Sequence, residues 1–331
     1  MNPFELYLPS VFVVATPFQT LCAIAAINQL KISDYKIVAV LPKGEPRNNQ
    51  VRCLLGHYHL SYETITNYSY LKFLSYKLLA FKKVSSQYHR IFIGDYRDFA
   101  LHVIGGLYAV KDANIVYLDD GSASIRILQG SNSDTLHKRD KYYLNALSRW
   151  KNLILHKNLL TIYSDIGNRD YNICGLDLSY ALKNNTNQDK EKQGIYIVGT
   201  NIKMYPLKSS EKDFIQKLDN FVSNLREANP TETIVYIPHG RDLGDYAKEI
   251  CQKYCVEYRK TNMMIEIEML GLKNSPKEVY GFTSTALYNL KKLYPHSEVV
   301  NILFKCNNHS YSDYMAISDY YLKNGIQLIV K

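Results

Sequence analysis

The feature that most constrains the fold is a short sequence pattern that occurs in two series along the chain. Each instance is an apolar run, then a turn of small or polar residues, then a helical segment. The runs of the first series are residues 11–15, 36–41, 90–94 and 115–118. Runs of β-branched and aromatic residues between helices are typical of buried parallel strands. The pattern therefore predicts an α/β fold built from βαβ units.

The pattern stops at a polar stretch and then starts again. Residues 183–193 lack apolar side chains, which is typical of a linker between domains. The strand candidates that follow are residues 194–199, 233–237, 278–281 and 299–303. We therefore predict two Rossmann-like domains, residues 1–183 and 194–331, joined by a linker at residues 184–193. The length of 331 residues agrees with two domains.

Composition and charge narrow the class of protein. Hydrophobic residues make up 46% of the chain and charged residues 21%, which is typical of a globular protein with large cores. The net charge of +9 attracts nucleic acid, anionic lipid or an anionic substrate without deciding between them. The six cysteines form no Cys-x-x-Cys pair, so we expect reduced thiols in a cytosolic protein.

Two segments bear on the location of the protein. Residues 11–27 are apolar but interrupted by Thr16, Pro17 and Gln19, and no basic cluster precedes them. They therefore predict neither a signal peptide nor a membrane span, and we expect a cytoplasmic protein. Residues 136–157 read as a basic helix with one apolar face. Such a helix fits peripheral contact with the inner membrane, or a solvated helix docked on its own domain.

Two acids and a glycine end the central strand candidate of the first half. Asp119, Asp120 and Gly121 follow directly after residues 115–118. In an open α/β sheet, ligands bind at the carboxyl ends of the strands. Two adjacent carboxylates at such an edge can raise the pKa of one of them into the range suited to proton abstraction. The same residues also fit an ordinary Asp-Gly turn with solvated acids.

Three strand ends in the second half carry groups that suit a phosphate. Gly199 and Thr200 offer backbone N–H groups and a hydroxyl. Ser284 and Thr285 offer hydroxyls at the start of a helix, where the helix dipole attracts an anion. His239 can donate a hydrogen bond or supply positive charge to a leaving phosphate. A plain helix N-cap and a surface-loop histidine are the competing interpretations.

Several common motifs are missing from the sequence. Neither a P-loop nor a dinucleotide-binding glycine motif is present, and no Gly-x-Ser-x-Gly nucleophile elbow occurs. No Asp-x-Asp stretch of the metal-chelating kind occurs either. We therefore expect no cofactor and no divalent metal.

Three motifs, taken in order, resemble those of a known enzyme family. Asp119-Asp120-Gly121 resembles the acidic-acidic-glycine motif of bacterial sialyltransferases. Residues 238–242 resemble their His-Pro motif, and residues 281–287 their Ser/Thr-Ser/Thr motif. The likeness is greatest to the lipooligosaccharide sialyltransferases, glycosyltransferase family 52, with the bacterial polysialyltransferases next.

Three further positions bear on this resemblance. Gln19, within residues 16–19, and Glu266, within residues 265–268, also resemble family positions. Gly240 departs from the pattern, because the family usually has proline after the histidine.

The resemblance implies a fold and a reaction. The fold would be GT-B, with two Rossmann-like domains facing each other across a cleft. The reaction would be inverting transfer of N-acetylneuraminic acid from CMP-Neu5Ac, without metal, to a terminal galactose, with α-2,3 linkage expected. The acceptor would belong to a bacterial surface glycan such as lipopolysaccharide, O-antigen or capsule.

The resemblance also implies roles for individual residues. Asp119 would be the general base on the acceptor hydroxyl, and Asp120 would orient it or share that role; which acid points inward stays open. His239 would bind or protonate the leaving CMP phosphate. The remaining donor-binding candidates are Gly199, Thr200, Glu266, Ser284 and Thr285. We expect two further residues to contact the acceptor, namely Gln19 and Asp95.

Two alternatives stay open. A transferase for another CMP-activated nonulosonic acid, or for Kdo, fits the same motifs. A basic nucleic-acid-binding protein fits the net charge of +9, and retention on heparin at high salt would favour it. The partners we expect are a nucleotide-sugar donor and a glycan or lipid-linked glycan acceptor, with no nucleic acid and the oligomeric state open.

Overall fold

The computed structural model describes residues 4, 8–66, 87–129, 158–182, 191–202, 211–242, 244–305 and 310–331. The chain divides into two compact units, Met1–Lys183 (unit 1) and Asn184–Lys331 (unit 2). The predicted helix at residues 136–157, and residues 184–190 of the predicted linker, lie outside the described residues.

Unit 1 contains a parallel seven-stranded sheet with the strand order β3-β2-β1-β4-β5-β6-β7. Its strands are β1 (Ser10–Val14), β2 (Tyr35–Val40), β3 (Tyr62–Ile65), β4 (Tyr88–Ile93), β5 (Ala109–Tyr117), β6 (Asn158–Thr161) and β7 (Asn172–Gly175). The central strand β1 is buried along its whole length. A strand covered on both faces needs apolar residues at successive positions, as the run Val11–Val14 supplies.

Four α-helices of unit 1 lie in the described part of the chain. They are α1 (Pro17–Gln29), α2 (Asn48–His57), α3 (Phe99–Tyr108) and α4 (Ala123–Leu128). Helix α1 follows β1 directly, because the Thr16 hydroxyl caps it by accepting a hydrogen bond from the Gln19 N–H at 3.2 Å, and Pro17 suits the first turn. Most of α1 is buried, so Gln19 is carried into the interior at the carboxyl end of β1.

Unit 2 contains a parallel six-stranded sheet with the strand order β10-β9-β8-β11-β12-β13. Its strands are β8 (Ile195–Val198), β9 (Ile234–Ile237), β10 (Glu257–Tyr258), β11 (Glu278–Gly281), β12 (Glu298–Leu303) and β13 (Gln327–Val330). Its described helices are α5 (Glu211–Ala228), α6 (Tyr246–Lys253), α7 (Ile265–Leu270), α8 (Thr285–Leu293) and α9 (Ser310–Lys323). A core of aliphatic side chains with Phe214, Phe221, Phe282 and Phe304 packs α5 onto this sheet.

Both sheets have the strand order of a Rossmann fold. In each, the order reverses beside the first strand, between β1 and β4 in unit 1 and between β8 and β11 in unit 2. The carboxyl ends of strands at such a reversal form the usual ligand-binding edge of an open α/β sheet. The α/β prediction is therefore confirmed, and each unit has one expected binding edge.

Several elements differ from the sequence predictions. Strand β5 begins at Ala109 rather than at residue 115, because Ala109 pairs with Tyr88 of β4. Residues 62–65, which are not among the predicted strands, form β3 because they pair with β2 in register. Helix α2, which begins at Asn48, was not predicted either. Short edge strands such as β3 are stabilised mainly by their neighbour, so their own sequence carries little signal.

Among the helices that the structure describes, none is both long and apolar enough to cross a membrane. Within the same residues, no group of three or more His, Cys, Asp and Glu side chains is arranged to hold a metal ion.

Candidate active site

Asp120 lies at the carboxyl edge of the unit 1 sheet, just past β5, where its carboxylate is held by two side chains. Gln19 Nε2 donates to Asp120 Oδ1 at 2.8 Å, and Arg97 Nη2 donates to Asp120 Oδ2 at 2.6 Å. The Asp120 side chain keeps 27% of its surface exposed. It is therefore both fixed in orientation and accessible to a ligand.

Arg97 joins Asp120 to a second carboxylate. Its Nε and Nη2 donate to the two oxygens of Asp95, each at 3.0 Å, and its backbone N–H donates to Asp95 Oδ1 at 2.8 Å. The pKa of Asp120 is raised to about 6, chiefly by burial and next by the charge of Asp95, whereas Arg97 and Gln19 act to lower it. At neutral pH such a carboxylate is ionised, yet it is a stronger base than a solvated aspartate.

Asp119 has a different environment although it is the neighbouring residue. Its side chain has no solvent exposure, and Thr161 Oγ1 and the Ile162 N–H donate to its two oxygens at 2.7 Å each. Ser124 also hydrogen-bonds to it, and burial raises its pKa to about 6. These contacts tie the end of β5 to the end of β6 and leave no exposed oxygen for an acceptor hydroxyl.

A small pocket adjoins Asp120 within unit 1. Half-buried residues surround its mouth, namely Asp95, Tyr96, Asp120 and Tyr171. Buried residues form its floor, namely Tyr117, Leu118, Ala123, Ser124, Ile127 and Leu159. The pocket is therefore largely apolar, with two carboxylates at its rim.

The orientation of Tyr117 in this floor is set by a buried histidine. His102 Nδ1 lies 2.8 Å from the Asp98 carbonyl oxygen, and His102 Nε2 lies 3.3 Å from the Tyr117 hydroxyl. A carbonyl can only accept, so Nδ1 carries the proton and Nε2 accepts from Tyr117. Burial also lowers the pKa of His102, which keeps the ring neutral. The Tyr117 hydroxyl is thus held by His102.

In unit 2, His239 begins a tight turn after β9. The Asp242 N–H donates to the His239 carbonyl oxygen at 2.8 Å, and the Arg241 N–H donates to His239 Nδ1 at 3.1 Å. A backbone N–H can only donate, so Nδ1 must accept and the proton of the neutral ring lies on Nε2. Gly240 occupies the second position of this turn, which proline also favours, so its departure from the family pattern leaves the turn intact.

Gly199 packs directly against the His239 turn, where a larger residue would not fit. Its N–H donates to the Ile237 carbonyl oxygen at 2.8 Å, so the prediction that this N–H faces a ligand is wrong: the group continues the pairing of β8 with β9. A β-carbon at Gly199 would lie 3.1 Å from the His239 nitrogen and 2.7 Å from the Tyr236 hydroxyl. Thr200, the next residue, is half-buried at the same edge.

Ser284 is the N-cap of α8, as one of the two sequence interpretations held. Its Oγ accepts from the Ala286 N–H at 3.3 Å. Accepting a hydrogen bond leaves the O–H able to donate, so the cap does not exclude a role toward an anion. The turn is fixed from behind, because Tyr321 donates to the Ser284 carbonyl oxygen at 3.1 Å and the Thr283 N–H donates to Asn301 Oδ1 at 2.6 Å. Thr285 is the first residue of α8.

Glu266 lies buried in the first turn of α7. Asn289 Nδ2, from α8, donates to Glu266 Oε1 at 2.6 Å. Burial raises the pKa of Glu266, and the Asn289 hydrogen bond acts against that rise.

The structure brings some predicted residues together and adds others. Gln19, Asp95 and Asp120 converge in unit 1, and His239 shares the carboxyl edge of unit 2 with Gly199 and Thr200. The residues that the sequence did not single out are Arg97, His102, Tyr117, Thr161 and Asn289. Arg97 follows the Gly94-Asp95 strand end and could have been noticed there, whereas Thr161 and Asn289 carry no local signal.

Comparison with known proteins gives a fold but no sequence family. No protein-family model matches the chain, and no curated protein matches it in sequence. Solved structures do match. The GT-B domain of a sialyltransferase from Photobacterium damselae is 12% identical, with a TM-score of 0.53 over 97% of this chain and 99% of that one.

Two other similar structures are epimerases. The UDP-GlcNAc 2-epimerase of Neisseria meningitidis is 11% identical, with a TM-score of 0.55 over 96% of this chain and 91% of that one. A putative UDP-N-acetylglucosamine 2-epimerase of Listeria monocytogenes is 9% identical, with a TM-score of 0.56 over 97% and 90%. At these identities the likeness concerns the fold, and it confirms the GT-B fold class built from two Rossmann-like units.

Proposed function

We propose that this chain is an inverting glycosyltransferase that moves a sialic acid from CMP-Neu5Ac to a sugar hydroxyl of a bacterial surface glycan. The observation that carries the proposal is Asp120, an accessible carboxylate with a raised pKa, held by Gln19 and Arg97 at the mouth of a pocket. A general base for an acceptor hydroxyl needs these properties. The GT-B fold and the likeness to a sialyltransferase domain support the reaction class.

Unit 2 supplies groups suited to the CMP phosphate. His239 would present its Nε2–H, because Nδ1 already accepts the Arg241 N–H. Ser284 and Thr285, at the N-terminus of α8, would add hydroxyl and backbone donors where the helix dipole favours an anion. Thr200 would add a further hydroxyl. Glu266, for which the family resemblance implies a contact with the ribose or the cytosine, is buried and accepts from Asn289, so it would instead hold α8 in place.

The reaction would be a single displacement. Asp120 takes the proton of the acceptor hydroxyl while that oxygen forms a bond to the anomeric carbon of the sialic acid. The bond from that carbon to the phosphate oxygen of CMP breaks, and its electron pair stays on the phosphate. His239 stabilises the charge on the leaving phosphate by donating a hydrogen bond from Nε2–H. Attack from the side opposite the leaving group inverts the anomeric carbon.

We assign the base to Asp120 rather than to Asp119, to which the family resemblance gave that role. Each oxygen of Asp119 accepts a hydrogen bond in the interior, from Thr161 or from Ile162, and the side chain has no exposed surface. A base has to reach the hydroxyl whose proton it takes, directly or through one water. Asp119 would therefore hold the strand end that carries Asp120.

A nucleotide-sugar epimerase is the second candidate, and the similar structures that are described as UDP-GlcNAc 2-epimerases favour it. Another CMP-activated nonulosonic acid, or Kdo, is an alternative donor within the first proposal. The nucleotide distinguishes these candidates, because a cytidine enzyme would bind CMP in preference to UDP. For the first proposal we place the enzyme on the cytoplasmic side of the inner membrane, where it would meet a lipid-linked acceptor.

The deciding experiment measures release of CMP from CMP-Neu5Ac with a panel of β-galactosides, and turnover of UDP-GlcNAc in parallel. We expect CMP release without added metal, a sialylated product with inverted anomeric configuration by NMR, and no turnover of UDP-GlcNAc. Asp120→Asn and His239→Ala should each lower the rate by about 10² or more. Tight UDP binding with turnover of UDP-GlcNAc would replace the proposal with the epimerase, and failure to bind CMP would reject it.

A further inference from the structure

The floor of the pocket beside Asp120 differs in chemistry from its mouth. The floor side chains Leu118, Ala123, Ile127 and Leu159 are hydrocarbon, and each is at most 8% exposed. Sugars present hydroxyls at most ring positions, and a hydroxyl buried without a hydrogen-bond partner costs binding free energy. Such a floor is therefore unsuited to a substituent with a free hydroxyl.

The two polar groups of the floor are already engaged. The Ser124 side chain hydrogen-bonds to the carboxylate of Asp119, and the Tyr117 hydroxyl donates to His102 Nε2. The hydrogen-bonding side chains near the ligand are thus at the rim, namely the carboxylates of Asp95 and Asp120 and the hydroxyls of Tyr96 and Tyr171. A ligand would place its reacting hydroxyl at the rim and an apolar group below it.

We infer that the acceptor is a sugar that carries a methyl-bearing substituent near the hydroxyl that reacts. An acetamido group and the C6 methyl of a 6-deoxy sugar share this chemistry. Either would put a methyl group against Ala123 and Ile127 while the acceptor hydroxyl stays at Asp120. The rings of Tyr96 and Tyr171 at the mouth suit the apolar face of the sugar ring.

This inference rests on the proposed function and narrows its acceptor class. The first test compares kcat/KM for CMP release with a simple β-galactoside, its 2-acetamido-2-deoxy analogue and its 6-deoxy analogue. We expect one of the two methyl-bearing acceptors to exceed the galactoside by about tenfold or more, which is the usual effect of one methyl group in an apolar pocket. The better analogue identifies the substituent. Equal kcat/KM for all three would overturn the inference and leave the transferase proposal standing.

The second test changes the floor. Ile127→Ala should enlarge the floor of the pocket. In this variant, an acceptor with one more carbon on the favoured substituent should gain about tenfold in kcat/KM relative to the methyl-bearing acceptor. Leu128→Ala is the matched control, since Leu128 is a buried neighbour on α4 that does not line the pocket. Leu128→Ala should lower the free energy of unfolding by a similar amount and leave the ratio of the two kcat/KM values unchanged. An equal change of the ratio in both variants would contradict the assignment of the pocket.

A binding measurement separates failure of this inference from failure of the proposed function. In saturation-transfer NMR of the full-length protein with the three glycosides, the methyl protons of the favoured analogue should receive the strongest saturation. Ile127→Ala should lower that signal, and Leu128→Ala should not. A methyl signal in a protein without CMP release would reject the transferase and keep the pocket. CMP release with hydroxyl-only acceptors and no methyl signal would reject the inference about the acceptor and keep the transferase proposal.

Discussion

Gln19 and Asp120 are 101 positions apart in the sequence and are joined by a hydrogen bond of 2.8 Å from Gln19 Nε2 to Asp120 Oδ1. The other end of the same amide is also used, since Gln19 Oε1 accepts from the Ala15 N–H at 2.8 Å. The amide therefore cannot flip without losing both bonds. Gln19 links the end of β1 to the end of β5 and sets the direction of the Asp120 carboxylate.

Gly94 provides the space that this contact needs. A β-carbon at position 94 would lie 2.5 Å from Gln19 Oε1 and 2.7 Å from its Cδ. We expect Gly94→Ala to displace the Gln19 side chain, to release Asp120 and to lower kcat by about tenfold or more, as misplacement of a catalytic group does. Gly56→Ala is the control, because a β-carbon there meets nothing within 4 Å. Steady-state kinetics that show equal activity for both variants would contradict this role of Gln19.

The two adjacent acids should respond differently to substitution. Asp120→Asn should lower kcat by about 10² or more and keep the stability near that of the wild type. Asp119→Asn should stay within about tenfold of wild-type activity, since it is not in contact with substrate. Asp119→Ala should lower the free energy of unfolding by about 1–3 kcal/mol, because it leaves the Ile162 N–H and the Thr161 hydroxyl without their acceptor. Urea unfolding and kinetics on the same samples check both parts; loss of activity in Asp119→Asn alone would restore Asp119 as the base.

The pH dependence of kcat/KM should report the state of Asp120. A base acts when deprotonated, so the rate should rise with pH through the pKa of about 6. Arg97 acts to lower this pKa, so Arg97→Gln should move the rise to higher pH. Asp95 acts to raise it, so Asp95→Asn should move the rise to lower pH. Profiles that shift in the same direction in both variants would exclude Asp120 as the titrating base.

Gly199 should control binding of CMP through the His239 turn. Gly199→Ala would bring a β-carbon 3.1 Å from the His239 nitrogen and 2.7 Å from the Tyr236 hydroxyl, and should weaken CMP binding by about tenfold. The double variant Gly199→Ala, Tyr236→Phe removes the contact with the hydroxyl and keeps the contact with the His239 backbone. Calorimetric titration with CMP should show no recovery in the double variant. Full recovery would mean that Tyr236, rather than the His239 turn, transmits the change.

The secondary structure was largely predictable because most central strands are local apolar runs. β1, β8 and β11 lie within one residue of the predicted bounds. Burial on both faces of a parallel sheet makes such runs visible without knowledge of their neighbours. Short edge strands such as β3 and β10 were not predicted, since pairing with a neighbour rather than their own composition stabilises them.

The sequence predicted where the candidate site residues lie in the fold, but it did not predict which side chains hold them. Asp120, His239 and Ser284 each follow an apolar run, so the sequence placed them at the carboxyl edges of their sheets. Arg97, which holds Asp120, and Asn289, which holds Glu266, are supplied by other elements of the fold. No spacing rule relates such partners, because chain topology brings them together.

The sequence by itself determined that this chain forms an α/β fold with acids at one strand end and a histidine at another. Only the tertiary structure decided which acid faces a ligand. Successive residues at a strand end point to opposite sides, and which side is interior depends on the elements packed against it. Thr161 and Ile162, from the end of β6, enclose Asp119, and Asp120 is left at the pocket with Arg97 and Gln19.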